Sequence, residues 1–430
     1  MNLRFDEWRL FIGGEWIATK SVDDIRLPYD GTVVGKVHAA DPALVHCAID
    51  AAQRSLRAMR EMSLVDRGDL LFRLHGILKE RLPELGETVC IETGKPIREA
   101  RMEAEASVQV LLDIAAEARS GEVETRIEKS RTVMRIREPR GVVALVTAFY
   151  DPLRLAVENV ASALAGGNTV VHYPAAQTPF SALLLAAALE KAGLPKGTFN
   201  VVCGAEVARV LADDPAIDAR IHPAPEGATA FIVEPDADVD AVVAAALPAA
   251  FCHSGQMNSP LQEIYVHEDL AAPLLQRLSD KAARLRIAHP FEQGSELSSL
   301  ISEEAAAHVT EWMDEARAHG ARPLTGGQRR AATVRPSVIE NIPEDCQRSR
   351  AGRRGPAISV CRYMDMDDSI ARVECNRAVV FTSDLQLAFR AARRLHCDSV
   401  GLNQMPGATR NPRRRIEDTT KPKTISWPNL

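Results

Sequence analysis

The rhythm of apolar and polar positions changes several times along this chain. Residues 41–60 set Leu44, Ala48 and Ala51 at helical spacing, residues 64–83 set Leu70, Leu74, Ile77 and Leu78 on one stripe, and a third helix is predicted over about 96–118. The run from Glu122 to Glu138 has strand character, and the alternation in Thr132-Val133-Met134-Arg135-Ile136 predicts a half-exposed strand. At Gly141 the pattern becomes a continuous apolar run to Val146, as in a strand covered on both faces. A helix is predicted at 152–164, a strand at 168–172, a helix at 178–192, a strand at 199–202, a helix at 205–212 and a strand at 218–222. The alternation restarts at Ala230 with a strand, a helix from Val239 to about Phe251, a strand at 262–266 and helices at 268–285 and 302–319. Later strands are predicted at 334–339, 356–361, 378–382 and 398–403, with a last one near 423–427. Strand–helix alternation of this kind predicts open parallel sheets, and the restart predicts two of them.

The 430 residues exceed what one simple core organises, in agreement with two or three packed units. A net charge of −6 gives no overall attraction to nucleic acid or an anionic membrane. The eight cysteines are dispersed, with no C-x-x-C pair and no zinc-finger spacing to histidine, so no metal site is expected and a reducing compartment is. MNLRFDEWRLF is charged too early for a secretory leader, and no apolar run is long enough to span a membrane. These features place the expected location in the cytoplasm.

Six segments, in order, resemble the aldehyde dehydrogenase superfamily: Leu10–Trp16, Glu92-Thr93-Gly94-Lys95-Pro96, Arg137–Val143, Ala163–Val171, Gly193–Val202 and Ile416–Ile425. The resemblance implies an α/β, aldehyde dehydrogenase-like fold with two Rossmann-like open-sheet domains and a small β oligomerisation arm. It assigns 1–119 and 141–226 to the cofactor-type domain, 227–408 to the catalytic-type domain, and 120–140 with 409–430 to the arm. Through the arm it implies a homo-oligomer, most simply a dimer, or a hetero-oligomer with another enzyme.

Set against the family's motifs, the chemical positions differ. Its G-Q-x-C segment aligns with Gly255-Gln256-Met257-Asn258, so a carboxamide stands where the attacking thiol belongs. Cys252 is the nearest thiol, and its simplest reading is a small buried residue at a helix end. The asparagine that holds the oxyanion aligns with Tyr150, followed by Asp151. The general-base position falls on Ala224, with Glu226 two residues on. The ribose-holding K-P-S-E reads Tyr173-Pro174-Ala175-Ala176, and the E-x-F-G-P segment reads Gly352-Arg353-Arg354-Gly355-Pro356. The chain also passes almost directly from Ile221-His222 to the next strand, without the G-S-T loop and helix.

These differences lead to the expectation of a non-catalytic subunit, scaffold or binder that holds no cofactor. A second reading is a repurposed enzyme doing acid–base chemistry without a cofactor through Tyr150, Asp151, Glu226, Cys252, His253 and Asn258, with His253 titrating near neutral pH. A third is an atypical NAD(P)-dependent aldehyde dehydrogenase with an alternative nucleophile and an alternative cofactor site. The basic runs Arg348, Arg350, Arg353, Arg354 and Arg413-Arg414-Arg415 read most simply as solvated loops, or else as an anion site.

Overall fold

Short strands open the chain. β1 (Glu7–Trp8), β2 (Leu10–Ile12), β3 (Glu15–Ile17), β4 (Val22–Arg26) and β5 (Val33–His38) precede the first helix. Helical periodicity dominates the sequence nearby, and strands this short give little period-2 signal; β4 buries Ile25 alone. The computed structural model describes residues 7–120, 124–223, 227–343, 345–346, 354–406 and 412–429.

The helices that follow have local stop and start signals. Asp41 caps α1 (Pro42–Glu61) by accepting from the Leu44 amide. Ser63 and Asp66 form a capping box on α2 (Leu64–Glu80). The single helix expected over 64–83 ends at Glu80, because Pro83 sits in the first turn of α3 (Leu82–Thr93), where its missing N–H costs nothing. Gly94 ends α3 in the left-handed region, at φ 73°, and α4 (Ile97–Ser120) follows.

The first parallel sheet is built by β8 (Val142–Val146), α5 (Pro152–Ala165), β9 (Thr169–Tyr173), α6 (Phe180–Ala192), β10 (Phe199–Val201), α7 (Val207–Asp213) and β11 (Ala219–Ile221). Its order is β11-β8-β9-β10-β2-β3, with the last two strands antiparallel. Strand order reverses between β8 and β11, which opens a crevice at their carboxyl ends.

The second sheet follows the same logic. β12 (Thr229–Val233), α8 (Val239–Phe251), β13 (Leu261–His267), α9 (Glu268–Arg284), α10 (Glu303–Ala318), β14 (Arg322–Thr325), a ribbon of β15 (Arg329–Arg330) and β16 (Thr333–Val334), and β17 (Ser337–Glu340) come first. β18 (Ala357–Tyr363), α11 (Met366–Arg372), β19 (Arg377–Phe381), α12 (Leu385–Arg394) and β20 (Ser399–Leu402) complete it, in the order β14-β17-β18-β13-β12-β19-β20. The strand expected at 334–339 is two strands, broken at Arg335-Pro336, since proline brings no ladder donor. Both α11 and α12 lie where no helix is expected from the sequence.

The arm is an antiparallel sheet of β6 (Glu124–Ile127), β7 (Arg131–Pro139) and β21 (Thr420–Pro428), reached through α13 (Pro412–Asp418). β21 pairs with β7 from Thr420↔Pro139 to Pro428↔Arg131. The two-sheet fold and the arm thus agree with the fold class expected from the sequence. Among the described residues no helix is long and apolar enough to cross a membrane.

Gly141 sets the start of the first sheet. Its φ of 135° is closed to side chains, and a Cβ there would stand 2.0 Å from Asp218 Oδ2. That same oxygen accepts from the Val142 amide at 2.8 Å, joining β8 to β11. Gly141→Ala is expected to destabilise the fold by about 2 kcal/mol or more. Urea unfolding of the variant beside the parent checks this, and equal midpoints would contradict it.

Candidate active site

The cleft lies where α4 and the loop after β8 meet the turn after α8. Its floor is set by Lys95, two residues beyond α3, whose side chain is 4% exposed. The Lys95 ammonium donates to Glu103 Oε2 at 2.6 Å, to the Tyr150 carbonyl at 2.8 Å and to Asp151 Oδ1 at 3.2 Å. Burial works against the ammonium, yet Glu103 and Asp151 hold it charged above the usual lysine range. Glu103 Oε1 accepts the amides of Leu153 and Arg154, so this carboxylate occupies the N-terminus of α5. In the same way Glu92 accepts the amides of Phe180 and Ser181 at the start of α6.

One turn before Glu103 on the same face of α4, Glu99 Oε2 accepts the His253 amide at 2.7 Å, which sets the carboxylate beside the Cys252 thiol. Burial raises the Glu99 carboxyl above the usual range, and burial and Glu99 together push the Cys252 thiol up. Cys252, Glu99 and Asp151 are half-buried, so they form the face of this cluster that meets solvent.

The turn that presents Cys252 is unusual. His253 (φ 48°) and Ser254 (φ 52°) are left-handed without being glycine, and Gly255 follows at φ 77°. His253 is 2% exposed, and neither ring nitrogen makes a hydrogen bond of normal geometry. Burial, then Lys95, push its imidazole well below the usual histidine range, so the ring stays neutral and packs edge-on to Phe149. The expected titration of His253 near neutral pH is therefore not what this environment gives, because the side chain is dry and faces a cation.

Across the cleft, the Tyr150 hydroxyl donates to Asn258 Oδ1 at 3.1 Å. Arg354 stacks 5.2 Å above the Tyr150 ring and donates to the carbonyls of Met257 and Asn258. Tyr150, Asp151, Cys252, His253 and Asn258 thus gather around one cleft. Glu226, Ala224, Gly352, Arg348, Arg350 and Arg353 lie outside the described residues, as do the side chains of Arg413 and Arg414. Arg415 is buried against Glu158, so it is not part of a solvated loop. Sequence reasoning missed Lys95, Glu99 and Glu103 as members of the site. Two carboxylates four residues apart, just after a lysine and among apolar positions, are the signal that carries them.

The comparisons with known proteins bear on what this cleft does. The model of the aldehyde dehydrogenase family matches residues 16–222 and 220–413. The chain belongs to the aldehyde dehydrogenase family. The glutarate-semialdehyde dehydrogenase of Pseudomonas aeruginosa is 30% identical over 428 residues, 91% of this chain and 89% of that one. The 3-sulfolactaldehyde dehydrogenase of Priestia megaterium is 29% identical over 92% of this chain and 90% of its own. Aldehyde dehydrogenase 21 of Physcomitrella patens, solved with succinate, superposes with a TM-score of 0.93 at 26% identity, covering 99% of both chains. These relatives, matched over about nine-tenths or more of their length, are named as dehydrogenases, which overturns the expectation of a non-catalytic subunit, scaffold or binder. That expectation weighed a few loop positions above the sheets, helices and cleft that the chain shares with them.

The Lys95–Glu103 pair can be tested directly. Lys95→Met leaves a buried carboxylate without its cation and is expected to cost about 3–5 kcal/mol, while Lys95→Met/Glu103→Gln recovers part of the loss. Chemical denaturation of both variants and of Glu103→Gln closes the cycle. Additive losses would show that the two groups do not interact.

Proposed function

We propose that this chain is an NAD(P)-dependent aldehyde dehydrogenase acting on a small aldehyde, with Cys252 as its attacking thiol. The observation that carries the reading is Glu99, held against the turn of Cys252 by the His253 amide at 2.7 Å, with its carboxylate beside the half-buried Cys252 thiol, in a chain whose relatives are named as aldehyde dehydrogenases. Position 258, where the family motif has its thiol, carries Asn258, and a carboxamide does not attack a carbonyl.

The chain's own groups divide the work. As the Cys252 sulfur bonds to the aldehyde carbon, the C=O π bond opens and Glu99 takes the thiol proton, which passes to the new oxygen; the product is a thiohemiacetal. A base beside the thiol suits this site, since burial keeps a free thiolate from forming. Tyr150 fixes the carbonyl end of the Asn258 carboxamide, which leaves its NH2 group to donate to the developing oxyanion. The named relatives act on glutarate semialdehyde, sulfolactaldehyde and succinate semialdehyde, so short aldehydes bearing an anionic group are the first substrates to try.

For a nicotinamide nucleotide the fit is one of topology: the crevice at the carboxyl ends of β8 and β11, bordered by Tyr173 and the exposed His222, is where an open sheet of this order binds its ligand. The first turns of α5 and α6 are filled by Glu103 and Glu92 and are closed to phosphate. The nucleotide supplies the hydride acceptor.

The test is formation of reduced nucleotide with succinate semialdehyde, glutarate semialdehyde and lactaldehyde. Activity is expected in the parent and a loss of about 10³-fold or more in Cys252→Ser. Full activity in Cys252→Ser, or none in the folded parent with any of these aldehydes, would overturn the reading. The rate is expected to rise with pH through the elevated ionisation of Glu99, because only the carboxylate takes the proton, and Glu99→Gln should lose that limb of the profile.

Tyr173-Pro174-Ala175-Ala176, at the end of β9, offers no cation to a ribose 2′-phosphate. NAD is therefore expected to exceed NADP in kcat/KM by about tenfold or more, the equivalent of one missing charge-assisted hydrogen bond. Equal values for the two nucleotides would show that a cation reaches the ribose from another segment.

A further inference from the structure

Two thiols that take no part in the chemistry above lie side by side at the end of the second sheet nearest the cleft. Cys375 precedes β19 and Cys397 precedes β20, two strands paired in parallel with Arg377 opposite Ser399. The pairing continues outward, with the Asp398 amide donating to the Asn376 carbonyl at 2.8 Å, so Cys375 and Cys397 face each other one step beyond. Both are free, and both are half-buried. Neighbouring paired strands set facing Cα atoms about 4.8 Å apart, within the span a disulfide bridges.

We propose that Cys375 and Cys397 form a redox site, a dithiol that a peroxide oxidises to a disulfide and that thereby reshapes the cleft. The step balances: one sulfur displaces hydroxide from the O–O bond, which leaves as water, giving a sulfenic acid; the second thiol displaces the sulfenic hydroxyl as a second water, and the S–S bond forms. Two electrons leave the thiol pair and reduce the peroxide. Two backbone donors, Ala230 and Arg377, face the Cys375 sulfur and favour its thiolate, although burial raises its pKa to about 12. The oxidation is accordingly slower than at an exposed, acidic thiol.

The route from this pair to the cleft is short. Asn376, between Cys375 and β19, donates its amide to the Ala228 carbonyl at 3.0 Å. Its side-chain Oδ1 lies 2.8 Å, and Ser259 Oγ 2.6 Å, from where a Cβ on Gly227 would stand, so this junction has no spare volume. The Gly227 amide in turn donates to the carbonyl of Asn258 at 3.1 Å. β19 lies between β12 and β20, so drawing Cys375 toward Cys397 pulls Asn376 away from Ala228 and Gly227 and disturbs the Asn258 that Gly227 holds. That Asn258 meets substrate rests on the proposed function; the disulfide itself does not.

The experiment treats the full chain with hydrogen peroxide, digests it without reduction and follows hydrogen exchange. One Cys375–Cys397 crosslink is expected, reversed by dithiothreitol and absent from Cys397→Ser and from Cys375→Ala. Exchange at 227–229 and 258–260 is expected to change on oxidation in the parent and in neither variant. Aldehyde oxidation should fall severalfold in the crosslinked parent and return on reduction, while the peroxide-treated variants keep their rates. Oxidation confined to the exposed Cys47, or a crosslink that leaves exchange at 227–229 and 258–260 unaltered, would overturn the proposal. A crosslink with altered exchange in a chain that never oxidises an aldehyde supports the redox site and removes the proposed function alone.

Discussion

Lys95 and Glu103 shield each other's charge from water where α4 meets the first turn of α5, and the cleft takes its shape from that contact. The ammonium spends its three protons on Glu103, the Tyr150 carbonyl and Asp151. Glu103 then spends its second oxygen on two amides of α5. A buried ion pair is weak as a source of stability but strong as a device for fixing positions, because any rearrangement leaves a charge unmatched. Here it fixes the segment that carries Phe149, Tyr150 and Asp151, and it does so from beneath, leaving their outer faces to the cleft.

Much of the fold was legible because both sheets announce themselves by apolar runs alternating with helical stripes. The runs at Val142, Thr169 and Thr229 are buried on both faces, and a strand so placed needs no polar partner in the sequence. Where the sequence misled, burial was one-sided or the element was short. β4 keeps one residue inside, and α12 buries Ala388 and Ala391 while Leu385 and Phe389 stay exposed, so its apolar residues do not mark its buried face. The cleft was legible by position and less so by chemistry. Tyr150, Asp151, Cys252, His253 and Asn258 do converge, since a strand end and a helix end meet there. The charge state of His253 was out of reach, because it depends on Lys95, far away in the chain, and on the loss of water around the ring.

The same contrast explains why reading the motif positions one by one led to an inert protein. A motif records which residue stands at a fixed point on a loop. It does not record which groups from other elements reach the same volume. Glu99 reaches the Cys252 thiol from α4, more than one hundred and fifty positions earlier, and the two meet only in the folded chain. Catalytic competence in such a cleft is a property of the assembled surface, with contributions from α4, the loop after β8 and the turn after α8.

That last turn has a bearing on how this sequence could change. His253 and Ser254 hold a backbone geometry that glycine or asparagine adopts at less cost, and each carries about 1–3 kcal/mol of conformational strain. Replacements that relax the loop are thus only a codon or two away, and a chain selected for thermal endurance alone would drift toward them. A spring left wound in this way marks the turn as a place where rigidity of presentation outweighs resilience. It is also the first segment whose slackening an engineer raising the melting temperature of this protein should avoid.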